Sequence, residues 1–327
     1  MDGVSRRRSR LAFLLLPTMD HFAHDLIERL PAASGWEVRG FLIKRPSDVV
    51  AALAWTDHRE RDALWFEFCW PPFPRIIAET DFAGRRVIVR VHRIEAMETN
   101  FVSQTPWAKI HDVIVVSTDM AARVRNAAPG LERTTRLHIV HNGLDTRRFA
   151  PLHDWNPFRI GWCGLLTLRK NPVLALQVLF GLRAIEPRYH LHISSNGGER
   201  LATEAFSHLA RYLDLVDAVH MDGTVPQREM PEWHARNGVL LHTSVHESFG
   251  YAIAEAAAVG CDIAVLEHPG ADEFWPAATR YGTAEVAVDL VRNAAPHRWR
   301  NHVVDRFSLE RQVAATVEAL RKGSATQ

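Results

Sequence analysis

Short apolar, β-branched runs alternate along this chain with longer stretches whose apolar positions recur at helical spacing. Runs of this length bounded by turn residues predict buried strands, and the longer periodic stretches predict helices. In the first half, strands are predicted at Leu11–Leu16, Glu37–Ile43, Ala63–Phe68, Arg86–Val91 and Asp112–Ser117, with helices at His24–Leu30 and Met120–Ala128. After a strand at His138–Val140, the second half repeats the alternation, with strands at Phe158–Cys163, His190–Ser195, Val219–Met221, Val239–Thr243 and Asp262–Leu266. Its helices are predicted at Pro172–Ile185, Glu199–Leu213, Pro231–Asn237 and Gly250–Val259, with a final helix at Leu309–Leu320. Strand and helix in turn build a parallel sheet covered on both faces. The chain therefore reads as two successive doubly wound α/β units. They meet in the turn-rich, proline-bounded stretch from His141 to Pro157.

Length and composition agree with this reading. A chain of 327 residues is long enough for two domains with separate cores, and 47% hydrophobic with 24% charged residues is ordinary for a globular protein. The formal net charge of +1 supplies no global field for nucleic acid, so no nucleic-acid partner is expected. Three widely spaced cysteines, Cys69, Cys163 and Cys261, argue against a disulfide framework or structural zinc site and fit a reducing cytoplasm. The basic segment from Arg6 to Arg10 precedes an apolar run, as in a secretion signal. That run is short and ends at Pro17 without a cleavage pattern, so it reads as the first buried strand. No run is long enough to span a bilayer. The basic N-terminus leaves weak contact with an anionic membrane surface open, and the expected location is cytoplasmic, free or peripheral to the membrane.

The candidate chemistry centres on the segment from His246 to Glu255. Glu247 falls in a turn between the strand ending near Ser244 and an Ala-rich helix that closes on Gly260, and Gly250 opens that helix. A helix N-terminus offers unpaired N–H groups and the positive end of a dipole, and glycine lets an anion approach the backbone. Eight helical positions rise about 12 Å, so Glu247 and Glu255 are spaced to serve two ends of an extended anionic ligand. On spacing alone the alternative stays open, with Glu247 capping the helix, Gly250 making a turn and Glu255 solvated.

Five segments, in order over residues 138 to 285, carry a resemblance to a known family. They are Val140-His141-Asn142-Gly143-Leu144-Asp145 with Phe149 and Pro151; Ile160-Gly161-Trp162-Cys163-Gly164 through Lys170; Asp222-Gly223-Thr224-Val225; Val239–Ser244 with Glu247–Glu255; and His268-Pro269-Gly270-Ala271-Asp272-Glu273. Together they resemble the GT-B glycosyltransferases of the retaining Glu-x7-Glu class. The resemblance implies two Rossmann-like domains facing across a cleft: 1–145 on the acceptor side, 146–305 on the donor side, and a C-terminal helix, 306–327, crossing back to the first. The implied reaction is metal-independent sugar transfer, with retention, from a nucleoside-diphosphate sugar. The donor is a substrate; no separate cofactor or metal site is implied. The acceptor is a carbohydrate, lipid-linked or other small molecule.

Carried over residue by residue, the resemblance makes Lys170 the cation at the leaving diphosphate and has Glu247 orient the transferred sugar. It sets Glu255 on the two ribose hydroxyls, where a carboxylate's two acceptor oxygens suit the task. The backbone N–H groups of Phe249, Gly250 and Tyr251 would hold the distal phosphate, with Ser248 in place of the usual glycine and Val225 beside the base. His92, after the strand Arg86–Val91, is similar to the first-domain histidine that reaches the donor sugar; a structural histidine at a strand end is its other reading. The chain departs from the family pattern at two points. Pro17-Thr18-Met19-Asp20-His21-Phe22 stands where a glycine-rich loop is usual, and Leu165 replaces the loop arginine, leaving Arg169 to supply a guanidinium from a shifted position or to be a solvated charge. These departures keep a rival in view, a catalytically weak or inactive nucleotide-sugar-binding protein acting as a regulatory partner. A second rival is a GT-B epimerase with water as acceptor. His21 with His24, and His92 with Glu95 and Glu98, lack a complete metal-ligand spacing. The aromatic run from Trp65 to Pro74 reads as a buried strand and rigid loop, or as an acceptor groove.

Overall fold

The computed structural model describes residues 8–17, 21–57, 62–69 and 71–322. Arg6, Arg7, Thr18 to Asp20, Trp70 and the His21 side chain, which the sequence reading singled out, lie outside the described residues. The chain forms two compact units, Met1–Asn142 with Leu309–Gln327, and Gly143–Ser308.

The first unit is built on six parallel strands: β1 (Arg10–Leu15), β2 (Glu37–Leu42), β3 (Ala63–Phe66), β4 (Arg86–Arg90), β5 (Asp112–Val115) and β6 (Arg136–Ile139), in the order β2-β1-β3-β4-β5-β6. Its central strands are buried on both faces, which is why they read as unbroken apolar runs. One face carries Leu64, Val87, Val89 and Val113 against the helix Thr118–Ala127, and the other carries Leu11, Phe13, Trp65 and Ile88 against the helices His21–Ser34 and Leu309–Lys322. The last helix is tied to this sheet by Arg86. Its guanidinium bonds Asp112 Oδ2 at 2.6 Å, donates to the Ala319 carbonyl at 2.9 Å, and also reaches the Leu320 carbonyl. A buried arginine is thus matched on one side by a carboxylate and on the other by the unpaired carbonyls of a helix end.

The second unit holds β7 (Asn156–Cys163), β8 (His190–Ser194), β9 (Val219–Gly223), β10 (Asn237–His242), β11 (Asp262–Leu266) and β12 (Arg280–Tyr281), all parallel, in the order β12-β11-β10-β7-β8-β9. Val239 and Leu241 of β10 face a core shared with the helix Pro172–Arg183, whereas Leu240 faces one shared with the helix Tyr251–Val259. The chain leaves β7 toward β8 and β9, then returns to the other side of β7 with β10. Between β7 and β10 the order reverses, and the loops at the carboxyl ends of two such strands diverge to leave a crevice.

Two local expectations change. The run after Cys69 is no rigid loop beyond Pro72, because Phe73–Glu79 is a helix. Proline is tolerated in a first helical turn, where its missing N–H would have no intrahelical partner. The helices Val49–Trp55, Arg93–Met97, Ala284–Arg292 and Arg300–Phe307 and the two-residue β12 also add to the predicted set. Among the described residues no helix is long and apolar enough to cross a membrane, and no group of three or more His, Cys, Asp or Glu is arranged to hold a metal ion.

The Arg86 tie has a measurable consequence. Arg86→Leu leaves Asp112 with Arg136 and His138 but frees the helix end. Urea denaturation is expected to show a loss of about 3 kcal/mol, the low end for breaking a buried ion pair. Hydrogen exchange should speed up first in residues 309–322.

Candidate functional site in the second unit

The loops after β7 and β10 flank the point of sheet reversal, and the chain stitches them together with backbone bonds. The β7 loop is pinned first: Leu166 N donates to the Gly197 carbonyl and Glu199 N to the Leu166 carbonyl, both at 2.9 Å. This close approach requires glycine, since a Cβ at Gly198 would fall 2.1 Å from the Leu166 carbonyl oxygen. Val245 N donates to the Arg169 carbonyl at 2.9 Å and Thr243 Oγ1 to the Lys170 carbonyl at 2.7 Å, while Thr243 itself accepts from Trp162 Nε1 at 2.8 Å. The two cationic residues are therefore positioned by the loop that carries Glu247.

Their side chains converge on one atom. Lys170 Nζ lies 2.5 Å and Arg169 Nη1 2.6 Å from Glu247 Oε1, and Ser244 Oγ donates to the same oxygen at 3.2 Å. The Glu247 side chain is only 13% exposed. Burial is the strongest influence and works against its ionisation, but Lys170, His242 and Arg169 outweigh it and hold the carboxyl well below the usual range. Behind it, His242 Nε2 stands 3.8 Å from Oε1; burial pushes this imidazole down to about 4 although Glu247 pulls the other way. His242 is a neutral neighbour at pH 7. Leu165, at the position of the missing arginine, is 48% exposed, so the guanidinium of this loop comes from Arg169, four residues later.

Gly250 adopts the left-handed conformation at φ 84° immediately before the helix Tyr251–Val259. A side chain there would meet both that strain and Ile253 Cδ1 at 2.7 Å, so the local backbone demands glycine irrespective of any ligand. The Phe249 side chain is buried against Phe274, Trp275 and Phe307, which leaves only its backbone for a ligand. Ser248 and Tyr251 are half-buried, and Val225 packs at the edge of the same core.

Glu255 sits on the first two turns of that helix and is largely buried. Gln227 Nε2 donates to its Oε1 at 2.9 Å, and His234 Nε2 is 3.5 Å from its Oε2. Cys163, at the end of β7, feels both groups: its thiol is pushed up to about 11 by burial and then by Glu255, with Lys170 pulling down. His242, Ser244, Gln227 and His234 are not singled out by any pattern in the sequence. The usable signal was slight: His242 and Ser244 precede Glu247 by five and three residues at the end of a strand.

His92 belongs to the first unit and is held there. Its Nε2 lies 2.9 Å from the Glu67 carbonyl and 3.2 Å from Glu67 Oε1, its ring stacks on Phe68, and its backbone N–H donates to Glu95 Oε2 at 3.0 Å. Glu67 is also bonded by Trp65 Nε1 at 2.9 Å and Arg90 Nη1 at 3.1 Å.

The fold has counterparts among known proteins. Residues 145–278 match the family model of glycosyl transferases group 1. The fold is similar to that of the Anabaena protein Alr3699/HepE solved with UDP and glucose, at TM-score 0.72 and 15% identity over 96% of this chain and 100% of that one. Sucrose-phosphate synthase from Thermosynechococcus elongatus is similar at TM-score 0.74 and 15% identity, covering 98% and 100%. TarM is similar at TM-score 0.68 and 14% identity, covering 85% of this chain and 58% of that one. No curated protein matches the chain. The architecture is GT-B, α/β, and the family match lies within the second unit.

The neutral histidine predicts a pH profile. A base whose folded value is depressed costs nothing above its ordinary value of 6.5; as pH falls from 6.5 toward about 4 the unfolded state takes up the proton and stability is lost. For His242 the loss is up to about 3 kcal/mol. Urea unfolding at pH 7.0, 5.5 and 4.5 should show a steeper fall for the natural chain than for His242→Gln.

Proposed function

We propose that this chain, whose second unit carries the group 1 glycosyl transferase signature, transfers a sugar from a nucleoside diphosphate to an acceptor hydroxyl with retention at the anomeric carbon. The observation that carries this reading is the convergence of Lys170 and Arg169 on Glu247 Oε1, on loops at the reversal point of the sheet. In the reaction the bond from the anomeric carbon to the phosphate oxygen breaks and a glycosidic bond forms. The acceptor's proton passes to a donor phosphate oxygen. The leaving group is a diphosphate, so the chief demand is for preorganised positive charge and N–H donors. Lys170 and Arg169 supply that charge without a metal, the arginine acting from its shifted position as a planar fork suited to phosphate. When the diphosphate takes over these cations, the Glu247 carboxylate turns to hydroxyls of the transferred sugar. The N–H groups at Phe249, Gly250 and Tyr251 face the distal phosphate, and Glu255 accepts from the ribose. Val225 borders the base. The acceptor is a carbohydrate, lipid-linked or other small molecule bearing a hydroxyl.

UDP- and GDP-sugars offered with a panel of acceptors should yield a glycoside whose anomeric configuration, read by NMR, matches the donor, with no loss of activity in EDTA. Lys170→Ala and Arg169→Ala are expected to lower kcat about a hundredfold each, in the range seen when an electrostatic donor is removed from a reacting centre. Glu255→Ala should weaken nucleotide binding at least about tenfold with a smaller effect on kcat. Full activity in both Lys170→Ala and Glu255→Ala would overturn the assignment, and nucleotide binding without transfer or hydrolysis would favour the regulatory partner.

A further inference from the structure

The Glu255 carboxylate is bonded at one oxygen and closely approached at the other, by groups on two different elements. Gln227, in the loop after β9, donates to Oε1 at 2.9 Å. His234, on the helix Met230–Ala235 that packs against the helix of Glu255, presents Nε2 to Oε2 at 3.5 Å. His234 is 0% exposed, and neither of its ring nitrogens makes a hydrogen bond among the described residues. Leaving a polar group buried and unbonded is costly, and Glu255 is the charged group facing this ring.

A carboxylate has about four acceptor directions, two on each oxygen. With one direction on each oxygen turned to Gln227 and His234, one on each is left facing outward. Two outward acceptors on adjacent oxygens fit a pair of vicinal hydroxyls, each donating to its own oxygen. A sugar with a single hydroxyl at that place leaves one outward acceptor direction of a largely buried carboxylate unfilled, and sites built to bond a hydroxyl reject analogues that lack it.

We propose that His234 is a positioning residue which, with Gln227, orients Glu255 for a vicinal diol and so restricts the donor to ribonucleoside diphosphate sugars, excluding 2′-deoxyribonucleotide donors such as dTDP-sugars. This rests on the reading that Glu255 holds the ribose. The His234 ring acts through the carboxylate and does not touch the nucleotide. Its Nε2–H tautomer supplies the donor, and a bound diol, by fixing the carboxylate, draws the 3.5 Å contact into a hydrogen bond.

The test uses calorimetric binding of UDP, GDP and ADP, each against its 2′-deoxy counterpart, to the full chain, carrying forward the pair that binds tightest. The natural chain should prefer the ribonucleotide about ten- to a hundredfold, the scale of one hydrogen bond to a charged group. His234→Leu should reduce that preference to within about threefold of unity while leaving pyrophosphate affinity unchanged, and His234→Gln should restore at least part of it. A merely structural role would weaken all three ligands together and leave the ratio intact. If His234→Leu does not fold, Gln227→Ala provides the same readout from an exposed loop, with loss of the ratio expected. An unchanged ratio in the folded variants overturns the proposal. The outcomes separate the two layers: if Glu255→Ala also keeps the ratio, or if none of the nucleotides binds, the ribose reading itself fails, whereas loss of the ratio in Glu255→Ala alone overturns only the role of the brace.

Discussion

One oxygen atom organises the second unit's site. Glu247 Oε1 draws an ammonium, a guanidinium and a serine hydroxyl within hydrogen-bond reach. Two like charges placed this close repel unless an anion lies between them, so the carboxylate is what allows Lys170 and Arg169 to be fixed in one place before any ligand arrives. Removing such charges from water is expensive, and the expense is tolerated only where geometry and hydrogen bonding are good. Here the geometry is enforced by backbone: the carbonyls of Arg169 and Lys170 accept from Val245 N and Thr243 Oγ1 of the opposing loop. A diphosphate is a stronger and more extended anion than one carboxylate. Exchange of partners is then the natural course of binding, with the cations already aimed.

That arrangement follows from topology rather than from loop sequence alone. Because β10 returns to the side of β7 opposite β8, the two loops start from adjacent strands yet lead to helices on opposite faces of the sheet. The first unit has the same kind of reversal between β1 and β3, and Glu67 immediately follows β3. There too a buried carboxylate gathers basic side chains, with Arg90 and His92 bonded to it and Trp65 on its other oxygen. Burial opposes the charge on Glu67, yet Arg90 and His92 bring its carboxyl below the usual range. In both units, then, a buried carboxylate beyond the end of one strand is met by basic side chains from a neighbouring strand or the loop that follows it.

The sheets were legible in the sequence because central parallel strands are buried on both faces and cannot be anything but apolar runs. Asp262–Leu266 was delimited to the residue for that reason, while β12, two residues long, offers no periodicity to detect. The helix Phe73–Glu79 was hidden by its prolines, which signal a loop unless they fall in a first turn. At the site, Glu247, Gly250 and Glu255 stood out because a strand-turn-helix motif fixes their spacing along the chain, and Lys170 stood out through the family resemblance. Their partners did not, since His234 and Gln227 reach Glu255 from 21 and 28 residues away across a tertiary interface. Arg169 was legible as a charge but not as a partner of Glu247, because a guanidinium in a loop reads equally as a shifted replacement for the arginine missing at Leu165 or as a solvated charge.

The neutrality of His242 completes the electrostatic argument. A charged imidazole at His242 would stand 3.8 Å from Glu247 Oε1 and compete with Lys170 for the carboxylate. Burial at 6% exposure prevents this by making the proton costly to hold, so the ring fills space and polarity behind the carboxylate without adding a third cation. The positive charge of the site is thus kept on the two side chains that are partly open to solvent, Arg169 at 31% and Lys170 at 16%, and withheld from the wall behind them. In the proposed reaction the diphosphate draws these two side chains from Glu247, and the carboxylate they leave serves hydroxyl groups rather than a phosphate.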